Sequence, residues 1–159
     1  ICDKNEDKLC SEGQDLMDSV QFMPHRVTYR IAGYEELGNC DVIVNCVGDI
    51  TLVATGNRDD EMKFTAAQVA DYIPKVMKGG FNGIFVNITN PCDVITYLIQ
   101  KLSGLPKNQV LGTGTGLDTS RLVSAISQQT GIEQSSFTAF LMGEHGDSQV
   151  VPWSFVSFA

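Results

Sequence analysis

Residues 4–20 are mostly polar, with Leu9, Leu16, Met17 and Val20 recurring at helical intervals, and this spacing predicts an amphipathic helix. Residues 25–32, HRVTYRIA, alternate β-branched and aromatic positions with polar ones and predict a short strand. Residues 40–48, CDVIVNCVG, form an apolar run closed by Gly48, the pattern of a buried parallel strand. A polar stretch of Thr, Gly, Asn and Asp then predicts a loop over 49–60, long enough to suggest a functional role. The helical period returns over 61–78 through Met62, Phe64, Val69, Ile73 and Val76, with Pro74 a candidate kink and KGG a stop.

GIFVNIT, residues 83–89, is a second buried strand, followed by a helix over 92–104. Pro91 suits the first helical position, and Asn90 before it is a candidate cap. QVLGT, residues 109–113, reads as a short strand and residues 117–129 as a further helix. The segments SSFTAFLM and SQVVPWSFV predict strands in a different packing environment. Buried strands alternating with amphipathic helices imply an α/β fold, a parallel sheet with helices on both faces.

The chain has 159 residues, 43% of them hydrophobic, and a mean hydropathy near zero, which suits a globular domain. No apolar run approaches the roughly 20 residues that span a bilayer. A net charge of −8 argues against a nucleic-acid or anionic-membrane partner, so an anionic ligand would need locally placed arginines. The five cysteines, Cys2, Cys10, Cys40, Cys46 and Cys92, form no C-x-x-C pair, and the expectation is a reduced, cytoplasmic protein. His25 and His145 are far apart without ligand-spaced neighbours, so no metal site is expected.

The candidate chemistry lies mainly in the second half. GEHGDS, residues 143–148, sets His145 in a glycine-flanked turn that would leave the imidazole open, although a plain surface turn has the same sequence. Asp118 and Arg121, three apart at the start of a helix, can point from one face. Arginine offers a planar fork for a carboxylate, and an aspartate on one imidazole nitrogen fixes the tautomer. With His145 the pair can hold an organic acid and move one proton; the same spacing equally suits an ordinary ion pair on a solvated face. Arg58, in the predicted loop, is either solvated or positioned to reach a site when the loop closes. Asp3 ends what reads as an opening strand, where an acid in a doubly wound sheet can meet the ribose hydroxyls of a dinucleotide; it could instead cap the next helix. GTGTGL, residues 112–117, mimics a dinucleotide fingerprint but has Leu117 at the sixth position, so its glycines are read as allowing close backbone approach.

TNPCDVITYLIQKLSGLPKNQVLGTGTGLDTSRL together with GEHGDSQVVPW resembles the L-lactate and malate dehydrogenase family, nearest its L-2-hydroxyisocaproate dehydrogenase branch. The resemblance runs from Asp3 to the tail. It implies a doubly wound, Rossmann-like sheet followed by the start of a substrate-binding domain, NAD as cofactor, and a homo-oligomer. It implies that His145 exchanges the substrate proton, supported by Asp118, while Arg121 grips the substrate carboxylate and Arg58 polarises the reacting oxygen. It assigns Asn90 to substrate and cofactor, Ile88 and Thr89 to the nicotinamide, Asp3 to the adenosine ribose, and Val47 with Gly48 to the dinucleotide groove. Substrate choice falls to the neighbourhood of Leu52 and Val53, where no cation stands; a second substrate carboxylate would be unpaired there, so an apolar 2-hydroxy acid is expected over malate.

The family's first strand and glycine-rich phosphate turn have no counterpart here, and the chain closes in apolar sequence. The expectation is a piece of a longer enzyme: residues 1–90 a partial dinucleotide-binding domain, 91–112 its end, and 113–159 a truncated start of the catalytic domain. Such a piece would bind NAD poorly, turn over little, and associate through exposed strands. The rival readings are a malate dehydrogenase and a non-catalytic association module of the same fold.

Overall fold

A computed structural model describes residues 1–53 and 58–158. Its centre is a three-stranded parallel sheet in the order β1 (Val42–Asn45), β2 (Ile84–Asn87), β3 (Val110–Gly112). Val42 pairs with Ile84 and Asn45 with Asn87, while Phe85 pairs with Val110 and Asn87 with Gly112. Each strand is short and apolar, and each parallel return runs through a helical crossover.

Strand periodicity sends Ile43, Phe85 and Val110 to one face, where they are buried. Two helices cover that face, α3 (Arg58–Lys78) and α4 (Cys92–Ser103). From α3 come Val69, Tyr72, Ile73 and Val76, and from α4 come Ile95 and Ile99, all buried. The sequence reading placed Phe64 on this stripe, but it is exposed and Thr65 takes the inward position. Helix α3 continues through Pro74, whose ring faces outward. Helix α4 ends at Gly104 in the left-handed region, φ 68°, the glycine stop that its C-terminus requires.

The opposite face differs from expectation. Val42, Val44, Ile84 and Leu111 point there and are between 37% and 54% exposed, so helices cover these three strands on one face only among the described residues. The apolar runs at 40–48 and 83–89 therefore alternate in burial rather than being buried throughout.

Ahead of the sheet, α1 (Glu6–Ser19) starts at Asn5, whose side chain accepts from the Lys8 amide. The segment 25–32 is not a strand. Ala32 N–H donates to Ile1 O and the amino group of Ile1 donates to Arg30 O, and these two bonds stop short of a strand ladder. Residues 49–60 also depart from the loop expectation: Asp49 leads into a short helix, α2 (Ile50–Val53), and Arg58 already belongs to α3. Residues 54–57 of that predicted loop lie outside the described residues.

After β3 come α5 (Gly116–Thr130) and two short strands, β4 (Phe137–Thr138) and β5 (Ser157–Phe158), paired antiparallel. Met142 and Val150 form an isolated antiparallel bridge. The tail strands are thus much shorter than the sequence pattern implies. No described helix is long and apolar enough to cross a membrane, and no group of metal-ligating side chains occurs among the described residues.

Candidate active site

The parallel strands end at one edge of the sheet, and the turns leaving them form the site. A groove of about 290 Å³ lies there, lined by Cys46, Val47, Gly48, Asp49, Glu61, Ile88, Thr89 and Asn90. Five of these, Val47, Gly48, Ile88, Thr89 and Asn90, are residues the sequence pointed to. Cys46, Asp49 and Glu61 are additional. The Asp49 carboxylate accepts from both N–H and Oγ1 of Thr51, and these bonds hold it below its ordinary value of 3.8. Leu52 lies in α2, is half-buried and is not among the residues lining this groove.

Under the groove is a buried polar network that the sequence reading missed. Tyr72 donates to Asn45 Oδ1 at 2.9 Å, and Asn45 Nδ2 donates to Asn87 Oδ1 at 2.7 Å. Asn87 Nδ2 donates to Thr89 O, Cys92 O and Thr96 Oγ1, and its Oδ1 accepts from Thr89 N. A fully satisfied buried network of this kind rigidifies what it touches, here the turn carrying Thr89 and Asn90. Burial, then the neighbouring Tyr34, pushes the Tyr72 phenol well above its ordinary range. The sequence signal was available: an asparagine at the same place in two apolar strands.

Asn90 joins Pro91 through a cis peptide bond and is exposed on the groove. It does not cap α4, because Pro91 itself is the N-cap residue and the helix begins at Cys92. Pro91 is accordingly not the first helical residue; its extended ψ of 119° keeps it outside the helix.

In the strand-to-helix turn after β3 the close-approach reading of the glycines holds at Gly112, whereas Gly114 and Gly116 have open space around an added Cβ. A Cβ on Gly112 would meet Thr96 Oγ1 at 2.5 Å, and Gly114 adopts φ 43°. That turn delivers Asp118 and Arg121 in the first turns of α5. Asp118 Oδ2 lies 2.5 Å from His145 Nδ1, and Arg121 is 3.5 Å from the other carboxylate oxygen. The Asp118 side chain is 12% exposed, His145 27% and Arg121 68%, so the acid is sheltered while the cation faces outward. The segment bearing His145 is closed by the Met142–Val150 bridge, and Gly143 at φ 100° takes a conformation that other residues rarely adopt. Gly146 meets no such demand. Glu144, adjacent to His145 in sequence, accepts from Ser148 Oγ instead of the imidazole.

Residues 1–112 match the lactate/malate dehydrogenase NAD-binding domain, and residues 115–157 match the lactate/malate dehydrogenase α/β C-terminal domain. This chain belongs to the lactate/malate dehydrogenase family. It is 45% identical over 148 residues to an L-lactate dehydrogenase of Fusobacterium nucleatum, covering 93% of this chain and 46% of that enzyme. It is 41% identical over 157 residues to L-lactate dehydrogenase 1 of Bifidobacterium longum, covering 99% and 49%. Among solved structures, the ligand-bound minor L-lactate dehydrogenase of Enterococcus mundtii superposes with a TM-score of 0.89 at 34% identity, over 99% of this chain and 50% of that one. The chain thus spans about half the length of the curated relatives it matches.

Within this family frame, one predicted position, Asp3, stands apart from both clusters. Asp3 is exposed, and its Oδ1 accepts from Asn5 N, a local turn ahead of α1. Arg58 heads α3, and its side chain lies outside the described residues. Asp93, which the sequence reading passed over, accepts from the His145 amide at 3.0 Å. All five cysteines are free.

Proposed function

We propose that this chain carries the cofactor groove and the acid–base centre of an NAD-dependent L-2-hydroxy acid dehydrogenase, acting on an acid with an apolar side chain such as lactate or 2-hydroxyisocaproate. The observation that carries this reading is the Asp118–His145 contact, made with Arg121 on the same helical turn as the acid.

The groove residues fit the nicotinamide end of NAD. Ile88 and Val47 offer apolar surface to a flat ring, and backbone groups at Gly48 stand in open space that a side chain would fill. Asp49 and Glu61 suit ribose hydroxyls and oppose a phosphate, so the nicotinamide riboside end, which carries no phosphate of its own at the ring, belongs here. Bound NAD supplies the hydride acceptor for alcohol oxidation and, reduced, the donor for the reverse reaction. Asp3 is assigned to the adenosine ribose.

The protein's own part is proton transfer and positioning. With Nδ1 engaged by Asp118, Nε2 of His145 takes the hydroxyl proton as the substrate carbon is oxidised, and returns it in reduction. Arg121 receives the substrate carboxylate through parallel N–H bonds, which its exposed guanidinium leaves available. Asn90 donates from the groove side, and Arg58 offsets negative charge growing on the reacting oxygen. Leu52 faces the substrate side chain and favours apolar acids over malate, which would bring an unpaired carboxylate.

A panel of pyruvate, 2-oxoisocaproate, phenylpyruvate and oxaloacetate with NADH and the full-length enzyme tests the reading. Reduction of the apolar acids ahead of oxaloacetate supports it; preference for oxaloacetate supports malate instead. Failure of every acid, with NADH bound, favours a non-catalytic association module, a reading to which the exposed Val42, Val44, Ile84 and Leu111 face lends some physical basis.

A further inference from the structure

The turn that presents His145 is held mostly by itself. The Met142–Val150 bridge closes its base, Gln149 N donates to Gly146 O, and Ser148 Oγ donates to Glu144 Oε2. These bonds shape the turn but do not locate it in the molecule. Location comes from α5, through Thr115 Oγ1 on Leu141 O, Thr119 Oγ1 on Leu141 N, and Asp118 on the imidazole. One further bond leads elsewhere: the His145 amide donates to Asp93 Oδ2 on α4.

Helix α4 is the element that follows Asn90 directly, and Ile95 and Ile99 seat it on the sheet with no exposed surface. Asp93 therefore joins the backbone of the histidine to the groove side of the site. The bond also runs between the two family-matched regions, 1–112 and 115–157. His145 is gripped twice by carboxylates from first turns of helices, its ring by Asp118 and its backbone by Asp93. The ring contact alone leaves the imidazole free to swing with the turn; the second fixes the pivot.

We propose that Asp93 is a positioning residue, whose carboxylate holds the His145 backbone at a set distance from the groove at Asn90. This deepens the dehydrogenase reading and rests on it for the role of His145. A purely local alternative exists, since an acid in the first turn of α4 also favours the helix dipole.

Hydrogen exchange of the His145 amide in the full chain separates the two, with Asp93→Ala, Asp93→Asn and Asp93→Glu compared at matched thermal stability. Asparagine keeps an oxygen acceptor at the same reach but loses the charge; glutamate keeps the charge and displaces the acceptor by one methylene. The expected result is His145 exchange about tenfold faster in the Ala and Glu variants and within about twofold of the parent in Asn. Unchanged exchange in Ala or Glu, or acceleration in Asn equal to that in Ala, overturns the proposal. If Ala does not fold, the Asn and Glu pair still decides. The readout needs no turnover, so a chain that reduces no 2-oxo acid would sink the functional reading while leaving the Asp93 anchor standing or falling on its own result.

Discussion

Asp118 Oδ2 and His145 Nδ1 meet at 2.5 Å although 27 residues separate them along the chain. A helix start and a glycine-flanked turn, each with its own local reasons for forming, bring a sheltered acid onto an open base. Replacing Asp118 with asparagine is expected to keep the packing and lower the rate of 2-oxo acid reduction by about 10²–10⁴-fold, the range of positioned acid–base catalysis, with NADH affinity unchanged. Steady-state rates beside an NADH fluorescence titration check both halves.

The buried network under the groove should be expensive to break from one side. Tyr72→Phe removes the donor to Asn45 Oδ1 and leaves that acceptor buried without it. The expected loss of stability is about 1–3 kcal/mol by urea unfolding.

The same tyrosine gives an alkaline signature. Burial raises its phenol above the ordinary value of 10.0, and Tyr34 adds to the effect. The unfolded chain therefore releases this proton first. The contribution to stability is complete below pH 10 and is lost as pH rises toward the folded value. Unfolding curves across alkaline pH, compared with Tyr72→Phe, should show a shallower decline in the variant.

Gly112→Ala tests the close approach at the β3–α5 turn. The added Cβ would stand 2.5 Å from Thr96 Oγ1 and 3.1 Å from Cys92 Sγ. A loss of about 1–3 kcal/mol is expected, and because the turn delivers Asp118, activity should fall further than stability does.

Leu52→Arg is expected to shift preference toward oxaloacetate by supplying a partner for a second carboxylate. Ratios of kcat/KM for 2-oxoisocaproate and oxaloacetate, measured in parent and variant, give the direction.

Much of this architecture was readable from the order of residues. The apolar runs over 40–48 and 83–89 pointed to parallel strands because such patterns are local, while LDTSR with GEHGDS pointed to a site through the family resemblance rather than through spacing, which equally suits a solvated ion pair. What escaped reading depends on partners remote in sequence. Residues 25–32 alternate like a strand, yet strand formation needs a paired neighbour, and alternation alone does not say whether one is present. The apolar runs could not say that only one sheet face is covered, since coverage belongs to other elements. Asp93 left no trace because its donor is a backbone amide 52 residues away, and every residue type except proline has one. Arg58 was assigned to a loop because its neighbours are polar, but Asp59, Asp60 and Glu61 are first-turn acids that suit a helix start.

The most direct test of the central claim is the rate of NADH oxidation by 2-oxoisocaproate before and after His145→Ala. A fall of about 10²–10⁴-fold with NADH binding intact is the expected result; a rate unchanged by the substitution would contradict the assignment of His145 as the group that moves the substrate proton.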